Sequence, residues 1–414
     1  MLIVIAWGLA VGLLLLVLGM SYLGVRFFLH YSKYESLSRG AYSPKVGVVM
    51  PLRGPDPFLK RCITALTRLD YPDYQIHIVV DHKDDPAYKI VEEVLRETGS
   101  HKIVLDELAD FTDTCSLRNC ALRQAVNRLP ADCEVYVMID ADASPYPLWL
   151  SDLVAGLQDP AVGVACGIRW YSPVDLTLAN LVRHVWNAGA ILQMLDQKIG
   201  WGGAIAFKRE AYDKAGMHEL WGKSLFDDTF ATDRILASGY QLQVVPRVTM
   251  VNEESNDLKG CFTFISRQLL NIRLYHRAWP FTCAYGLLAF LWTVSSVLVL
   301  GVALVRGDHR AAAVLGGGLA IYYGAQTIQL WIAECIVHGS QLRQGKPGIA
   351  FSNWKLPFAM VIALVVYPLA LLKVLRTQSV TWRGITYEFQ GPLRVRRLNY
   401  QPFAQAESQK SHSL

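Results

Sequence analysis

Three groups of aspartates in this chain fall where acids could do chemistry. Asp140-Ala141-Asp142 follows the apolar run 135–139, and Asp81-His82-Lys83-Asp84-Asp85 follows 76–80. Bare carboxylates repel a nucleotide diphosphate. With a divalent cation between them the sign reverses: hard oxygen ligands hold Mg²⁺ or Mn²⁺, and the metal holds the phosphates. An Asp-x-Asp arises about once by chance in a chain of this length. What marks Asp140 and Asp142 is their place after a strand-like run and before a proline-punctuated loop. The third group, Asp227-Asp228-Thr229, opens a helix-like stretch from Asp228 to Ala237 that closes at Gly239. An acid there caps a helix N-terminus, and it can also serve as general base toward an attacking hydroxyl. Trp201-Gly202-Gly203-Ala204 reads as a turn, although its glycines would also permit close backbone approach to a ligand.

Such acids need strands that end side by side. The runs 46–50, 76–80 and 135–139, with a shorter one at 103–105, are apolar and rich in β-branched residues. Between them, 58–69, 86–98 and 116–129 have helical spacing, with Pro86 in a first turn and Ser116 at a cap. This alternation predicts an α/β domain with a mostly parallel, buried sheet. Ligands of such sheets bind beyond the carboxyl ends of the strands. Neither GxGxxG nor GxxxxGK[ST] occurs, so no glycine-rich loop is available for phosphates.

The 414 residues are 52% hydrophobic and only 18% charged, whereas soluble domains carry about 25% charged residues. This excludes a disordered, collagen-like or secreted mini-protein and points to a chain partly dissolved in lipid. No charge interrupts 2–25, 281–305, 311–333 or the 17-residue run 356–372, against roughly 20 residues needed to cross a bilayer. Residues 1–25 are expected to be a retained anchor, since no basic residue precedes the run and no small-x-small site follows it. Residues 26–45 are a basic linker with Arg26, Lys33, Arg39 and Lys45. Basic flanks stay in the cytoplasm, so a catalytic domain over 46–254 is expected to face the cytosol of a multi-pass membrane protein. Residues 255–280 read as amphipathic interface helices, 281–375 as C-terminal membrane helices, and 376–414 as a basic polar tail. Three C-terminal spans would put that tail on the far side. Arg376, Arg383, Arg394, Arg396 and Arg397 favour the near side, so the 17-residue run is expected not to cross fully. The eight cysteines form no CxxC and fit reduced, buried thiols. The net charge of +5 is accounted for by positive-inside flanks and anionic lipid, and no nucleic-acid motif is present.

Several segments resemble the ceramide glucosyltransferases, membrane enzymes within the inverting, GT-A-fold, family 2 and 21 type of glycosyltransferase. They are Pro51-Leu52-Arg53-Gly54-Pro55-Asp56-Pro57, Leu69-Asp70-Tyr71-Pro72, Asp81-His82-Lys83-Asp84-Asp85-Pro86-Ala87 and, near the end, Val380-Thr381-Trp382-Arg383-Gly384-Ile385-Thr386-Tyr387. The resemblance implies a GT-A fold, a UDP-hexose donor, a divalent metal (Mg or Mn) and a ceramide-like membrane lipid as acceptor, giving a β-glycolipid. By position it implies that Asp85 lies at the nucleotide with Asp81 and Asp84 beside it, and that Asp140 and Asp142 hold the metal. It also implies that Asp228 is the base, with Asp227 where the family usually has Glu. Ceramide glucosyltransferases tend to keep only the first acid of the metal motif, so the full Asp-x-Asp is closer to the wider class.

The family closes its catalytic domain with Q/R-x-x-R-W. Counted from Arg267 the Arg-Trp pair falls on Leu270-Asn271, and from Gln268 on Asn271-Ile272. A shifted arrangement would take its charge from Arg267 with Arg273 or Arg277, and its aromatic surface from Trp279. Glucose and ceramide rest on the resemblance alone; N-acetylglucosamine and a hopanoid, carotenoid, glycerolipid or polyprenyl phosphate are the alternatives. A processive polysaccharide synthase would need more membrane helices and an intact motif. A lipid transporter is a third class, for which three or four helices make a poor conduit. Gln326, Gln329 and Glu334 read as contacts within the bundle or to a lipid headgroup.

Overall fold

A computed structural model describes residues 1–34, 39 and 42–403. The chain opens with a 33-residue helix, α1 (Leu2–Tyr34). An alternating unit follows: β1 (Val46–Leu52), α2 (Leu59–Leu66), β2 (Tyr74–Val80), α3 (Pro86–Thr98), β3 (Ile103–Glu107), α4 (Leu117–Arg128) and β4 (Val135–Ile139). Next come α5 (Trp149–Ala155), β5 (Val162–Tyr171), α6 (Leu178–Gln197), β6 (Ala204–Lys208), α7 (Arg209–Lys214), α8 (Met217–Trp221), α9 (Asp228–Ala237) and β7 (Gln241–Asn252). Four helices, α10 (Leu258–Tyr275), α11 (Trp279–Val305), α12 (His309–Arg343) and α13 (Leu356–Arg376), lead to β8 (Ser379–Trp382), β9 (Ile385–Phe389) and β10 (Val395–Arg397).

Seven strands pair in the order β3-β2-β1-β4-β6-β5-β7. β6 runs antiparallel to both neighbours and every other pairing is parallel. Every residue of β4 and β6 is buried, which is why these strands read as continuous apolar runs rather than alternating ones. Register then sets the site. Leu52 lies opposite Val80 and Val49 opposite Met138, so Arg53, Asp81 and Asp140 leave the sheet together at its carboxyl edge. Local signals fix the helices between. Asp85 is extended (φ −65, ψ 129) and its Oδ1 accepts from Ala87 N at 2.9 Å to cap α3, which Gly99 ends at φ 62. Ser116 Oγ accepts from Asn119 N at 3.2 Å and caps α4.

By length and apolarity α1, α11 and α13 could each cross a membrane, while the glycines and tyrosines of α12 keep it below that level. Packing draws a different line. Ala6 of α1, Ala303 of α11, and Ala311 and Leu315 of α12 form one buried cluster far from the sheet. Gln329 Nε2 of α12 donates to Ser21 Oγ of α1 at 2.7 Å. The inner end of α1 docks on β7, with Tyr31 Oη 2.6 Å from Thr249 Oγ1. α13 touches the α/β unit at both ends instead. Lys355 Nζ donates to Leu176 O at 3.4 Å where it begins, and Arg273 of α10 donates to Val374 O, and to Thr377 O at 2.8 Å, where it ends. Thus α1, α11 and α12 pack on one another, and α13 is tied to the α/β unit at both ends while also packing on α11, where Tyr367 Oη donates to Thr282 O at 3.1 Å.

Residues 379–397 form an antiparallel sheet in the order β10-β9-β8 where charge alone suggests a polar tail. Its inward residues Ile385, Tyr387, Phe389 and Val395 are buried against the main core. Trp382 pairs with Ile385, and the two residues between them, Arg383 (φ 46) and Gly384 (φ 79), make the hairpin turn in which both residues have positive φ.

Candidate active site

The carboxyl edge of the sheet opens into a cavity of about 170 Å³. Asp81, Asp140 and Asp142 line it, as do Arg53, Arg118 and Arg169 from the sheet and α4, Arg267 from α10, and Trp382 and Arg383 from the C-terminal hairpin. Arg118 bridges two acids, with Nη2 2.8 Å from Asp140 Oδ1 and Nε 3.0 Å from Asp227 Oδ1. Arg53 pairs with Asp81 and also donates to Arg383 O at 2.8 Å and Gln401 O at 2.9 Å. Among the described residues, Arg169 and Arg267 have no carboxylate within ion-pair distance. Arg169 is boxed by the rings of Tyr171, Phe264 and Trp201 at 5.1, 5.1 and 5.6 Å, and Arg267 lies over the Trp382 ring at 5.2 Å. A β-bulge aims Arg169: the β5–β7 register shifts between Cys166 and Ile168, and a β-carbon on the intervening Gly167 would come within 2.2 Å of Val248 O.

Burial alone would raise the Asp140 carboxyl, but Arg118, Arg169 and Arg267 outweigh it and hold the group below its usual range. Asp142 is pushed up to about 6, by burial first and by Asp140 second. Its Oδ2 accepts from Asn252 Nδ2 at 3.0 Å. Asp140 stays ionised, and the pull of Arg169 on Asp142 is outweighed by burial and by Asp140. That donor chemistry fits a divalent cation. Among the described residues no group of three or more His, Cys, Asp or Glu is placed to hold a metal ion.

A second cavity, about 230 Å³, lies between α6, α10, α11, α12 and α13, with Tyr285, Tyr322, Tyr323 and Tyr367 in its walls. Arg169 lines both cavities. Asp228, the first residue of α9, is on the wall of this second one. Its Oδ2 accepts from Gly202 N at 2.9 Å, and its Oδ1 from Thr229 N at 2.6 Å and Asn271 Nδ2 at 3.0 Å. The 201–204 turn therefore does make a close approach, to an acid rather than to a ligand: a β-carbon on Gly202 would lie 2.8 Å from Asp228 Cβ.

The sequence profile of glycosyl transferase family 21 matches residues 10–392. The chain belongs to glycosyl transferase family 21. The probable glycosyltransferase YdaM of Bacillus subtilis is 24% identical over 228 residues, which are 52% of this chain and 52% of that protein. A ceramide glucosyltransferase of Pyricularia oryzae is 25% identical over 141 residues, 31% of this chain and 28% of that one. The family 21 chain thus spans about half the length of the first relative and under a third of the second. Of solved structures, the mannosyltransferase PcManGT from Pyrobaculum calidifontis, in complex with GDP-Man and Mn2+, aligns at 17% identity and TM-score 0.49 over 89% of this chain and 99% of that one. S. aureus TarS 1-349 in complex with UDP-GlcNAc aligns at 12% and 0.36, over 86% and 100%. The α/β sheet with carboxylates at its carboxyl edge is a GT-A fold.

In this family 21 chain not every acid or base expected from sequence lies in a cavity. Asp81, Asp140, Asp142 and Arg267 line the polar one, and Asp228 the apolar one. Asp227 is 5% exposed and bound through both oxygens to Arg118, so it orients that arginine; burial pushes its carboxyl up to about 6. Asp85 is fully buried, and beyond its cap its Oδ2 accepts from Gly54 N at 2.8 Å, so it ties down the loop after β1 without lining the cavity. Asp84 is exposed and faces His82 at 3.4 Å. Arg273 is spent on the end of α13, with Phe389 5.7 Å away. Arg277 is exposed and Trp279 packs against the core, and neither lines either of these two cavities. The aromatic surface beside Arg267 is Trp382, about a hundred residues downstream of the position read from spacing. Arg118, Arg169 and Asn271 carried no signal of their own in the sequence. Trp382 and Arg383 did, in the C-terminal run that resembles ceramide glucosyltransferases.

Proposed function

We propose that this chain moves a hexose, glucose or N-acetylglucosamine, from a UDP-sugar to the hydroxyl of a ceramide-like membrane lipid, with inversion. One observation carries the reading. A polar, arginine-rich cavity and an apolar cavity meet at Arg169, and the apolar one has Asp228 in its wall and membrane-type helices around it.

The donor diphosphate belongs in the polar cavity, where Arg118, Arg169 and Arg267 offset its charge. Asp140 and Asp142 would hold a divalent metal there, which when bound supplies Lewis-acid stabilisation to the leaving diphosphate. The lipid hydroxyl enters from the apolar side. Three N–H donors fix the Asp228 carboxylate, and it takes the hydroxyl proton. The oxygen attacks the anomeric carbon on the face opposite the nucleotide, so a single displacement turns an α-linked donor into a β-glycoside. Arg169, with no acid of its own, faces the charge that builds at the junction. In this reading α1, α11 and α12 cross the membrane, α13 lies along the interface, and the sheet and the C-terminal hairpin both face the cytosol, of a bacterial inner membrane or of Golgi or ER.

The test is UDP release and glycolipid mass from purified protein given UDP-glucose or UDP-N-acetylglucosamine with a membrane lipid extract. Transfer is expected, and Asp228→Asn is expected to abolish it. No glycolipid with either donor refutes the function, and full activity in Asp228→Asn refutes the base.

A further inference from the structure

Two of the charge-free runs end against the same helix. Arg26 is the first charge after 2–25, and Glu334 is the first after 311–333. Both reach α6. Arg26 pairs with Asp196 near its end, and Glu334 Oε1 lies 2.9 Å from His184 Nε2 in its second turn. In the membrane placement given above, on which this rests, both runs cross the bilayer, so α6 lies along the edge of the hydrocarbon. The loop that leads into α6, residues 172–177, is held at that level from a second direction. Ser352 N donates to Glu334 Oε1 at 3.1 Å, and Lys355 Nζ donates to Leu176 O at 3.4 Å. The segment 352–355 therefore links this loop to the same carboxylate.

Both segments show apolar side chains to the outside. Val174 and Trp354 are each 75% exposed, and Leu178 and Phe358 are exposed four residues after them. The Trp354 and Phe358 rings meet edge-on at 6.2 Å. The loop is a fixed turn: Thr177 N and Asn180 Nδ2 both donate to Asp175 O, and Thr177 caps α6. Beyond Phe358 the apolar surface continues along α13 through the exposed Val361, Val365, Leu369 and Leu372, with no charge between 356 and 372. Exposed apolar groups gathered at a bilayer boundary, with tryptophan among them, are the pattern of a surface that enters lipid.

We propose that residues 174–178 of the α/β unit dip into the bilayer together with Trp354 and Phe358, as an interfacial wedge separate from the crossing helices. What covers this face is the boundary between headgroups and acyl chains. Attraction to anionic lipid is not what seats it, since Asp175 is exposed within the loop, and insertion is expected in neutral phosphatidylcholine. The wedge is also braced to the polar cavity. Asn180 Oδ1 accepts from Asn256 N at 2.7 Å, and Asn256 lines that cavity.

The experiment puts an environment-sensitive fluorophore on single cysteines of the full chain in phosphatidylcholine nanodiscs. Cys283→Ser and Cys335→Ser first remove the two thiols that are not buried. The label goes on Val174→Cys, on Leu15→Cys as a reference inside α1, and on Glu92→Cys as a reference on the outside of α3; all three positions are exposed, so the substitutions disturb no packing. Quenching is read with lipids that carry a nitroxide near the headgroup end or near the methyl end of the acyl chain. Val174 is expected to sit about 5–10 Å into the headgroup and acyl boundary, where the shallow nitroxide quenches more strongly than the deep one. Leu15 is expected to be quenched and Glu92 by neither lipid. A Val174 label as silent as the Glu92 label, with Leu15 quenched, overturns the wedge and leaves the membrane placement and glycolipid synthesis standing. A Val174 signal that shifts with protein concentration in detergent but is not quenched in nanodiscs marks a seat for a second chain and also overturns it. An unquenched Leu15 label overturns the membrane placement, and this proposal with it.

Discussion

Replacing Gly202 with alanine adds one methyl group behind the proposed base. The new carbon would stand 2.8 Å from Asp228 Cβ, 3.1 Å from its Oδ2 and 3.2 Å from its Cγ, whereas ordinary contact begins at 3.4 Å. One side must therefore give by at least about 0.6 Å, and the turn that carries residue 202 is flanked by the fully buried strand β6. The nearest atom, Asp228 Cβ, is tied to the α9 backbone, so neither side yields freely, and the shift displaces the carboxylate and strains its bond to Gly202 N. A misplacement of about 1 Å at a reacting group costs about a hundredfold in rate. The expected outcome for Gly202→Ala is a fall in kcat of about 10- to 100-fold, equivalent to about 1.4–2.7 kcal/mol. Donor KM should stay near wild type, because Gly202 does not line the polar cavity. The assay is steady-state transfer with donor and acceptor varied separately, alongside a melting curve and Gly24→Ala as control, where an added carbon meets nothing within 4 Å. A kcat within twofold of wild type in folded Gly202→Ala refutes the argument that this turn holds Asp228 in place.

Asp85→Ala removes a helix cap, about 1 kcal/mol, and leaves the buried Gly54 N–H unpaired, about 1–3 kcal/mol. A loss of about 2–4 kcal/mol in denaturant unfolding of the solubilised protein is expected, and an unchanged midpoint counts against the anchoring role. Because Asp142 is raised to about 6, its neutral form prevails below that pH. Metal-dependent donor binding should then weaken about tenfold per pH unit. Asp140→Asn should shift that limb to lower pH, and a wild-type limb near the ordinary aspartate value of about 4 contradicts the assignment. A membrane-impermeant thiol reagent should label Asp308→Cys and Gln378→Cys from opposite sides of sealed vesicles; labelling of both from one side would show that α13 crosses after all.

Much of the first half of the fold is legible in the sequence because its elements are local. Val135–Ile139 and Pro86–Thr98 are bounded by unambiguous punctuation, an Asp after the first and a capping Asp-Pro before the second. Asp140, Asp142 and Asp228 could be singled out because each stands next to such a boundary. Arg169 could not. It sits inside β5, where only the pairing with β7 and the bulge at Gly167 determine that it faces both cavities. Asp85 shows the opposite limit: a motif match puts an acid near the nucleotide, and what its spacing could not show is that its oxygens also accept from Ala87 N and Gly54 N. The C-terminal segment reads as a charged tail because β8, β9 and β10 are three to five residues long. Strands that short bury apolar surface only against a partner, here the main core.

Trp382 and Arg383 share the wall of the polar cavity with Arg53, from which they are separated by more than three hundred residues of chain. A ribosome thus delivers one part of that wall near the start and the other only after the whole helical bundle has been synthesised. A chain that ends before the hairpin lacks the part of the cavity wall made by Trp382, Arg383 and Tyr387. In the proposed reading the donor cavity is therefore complete only once the last residues have been made.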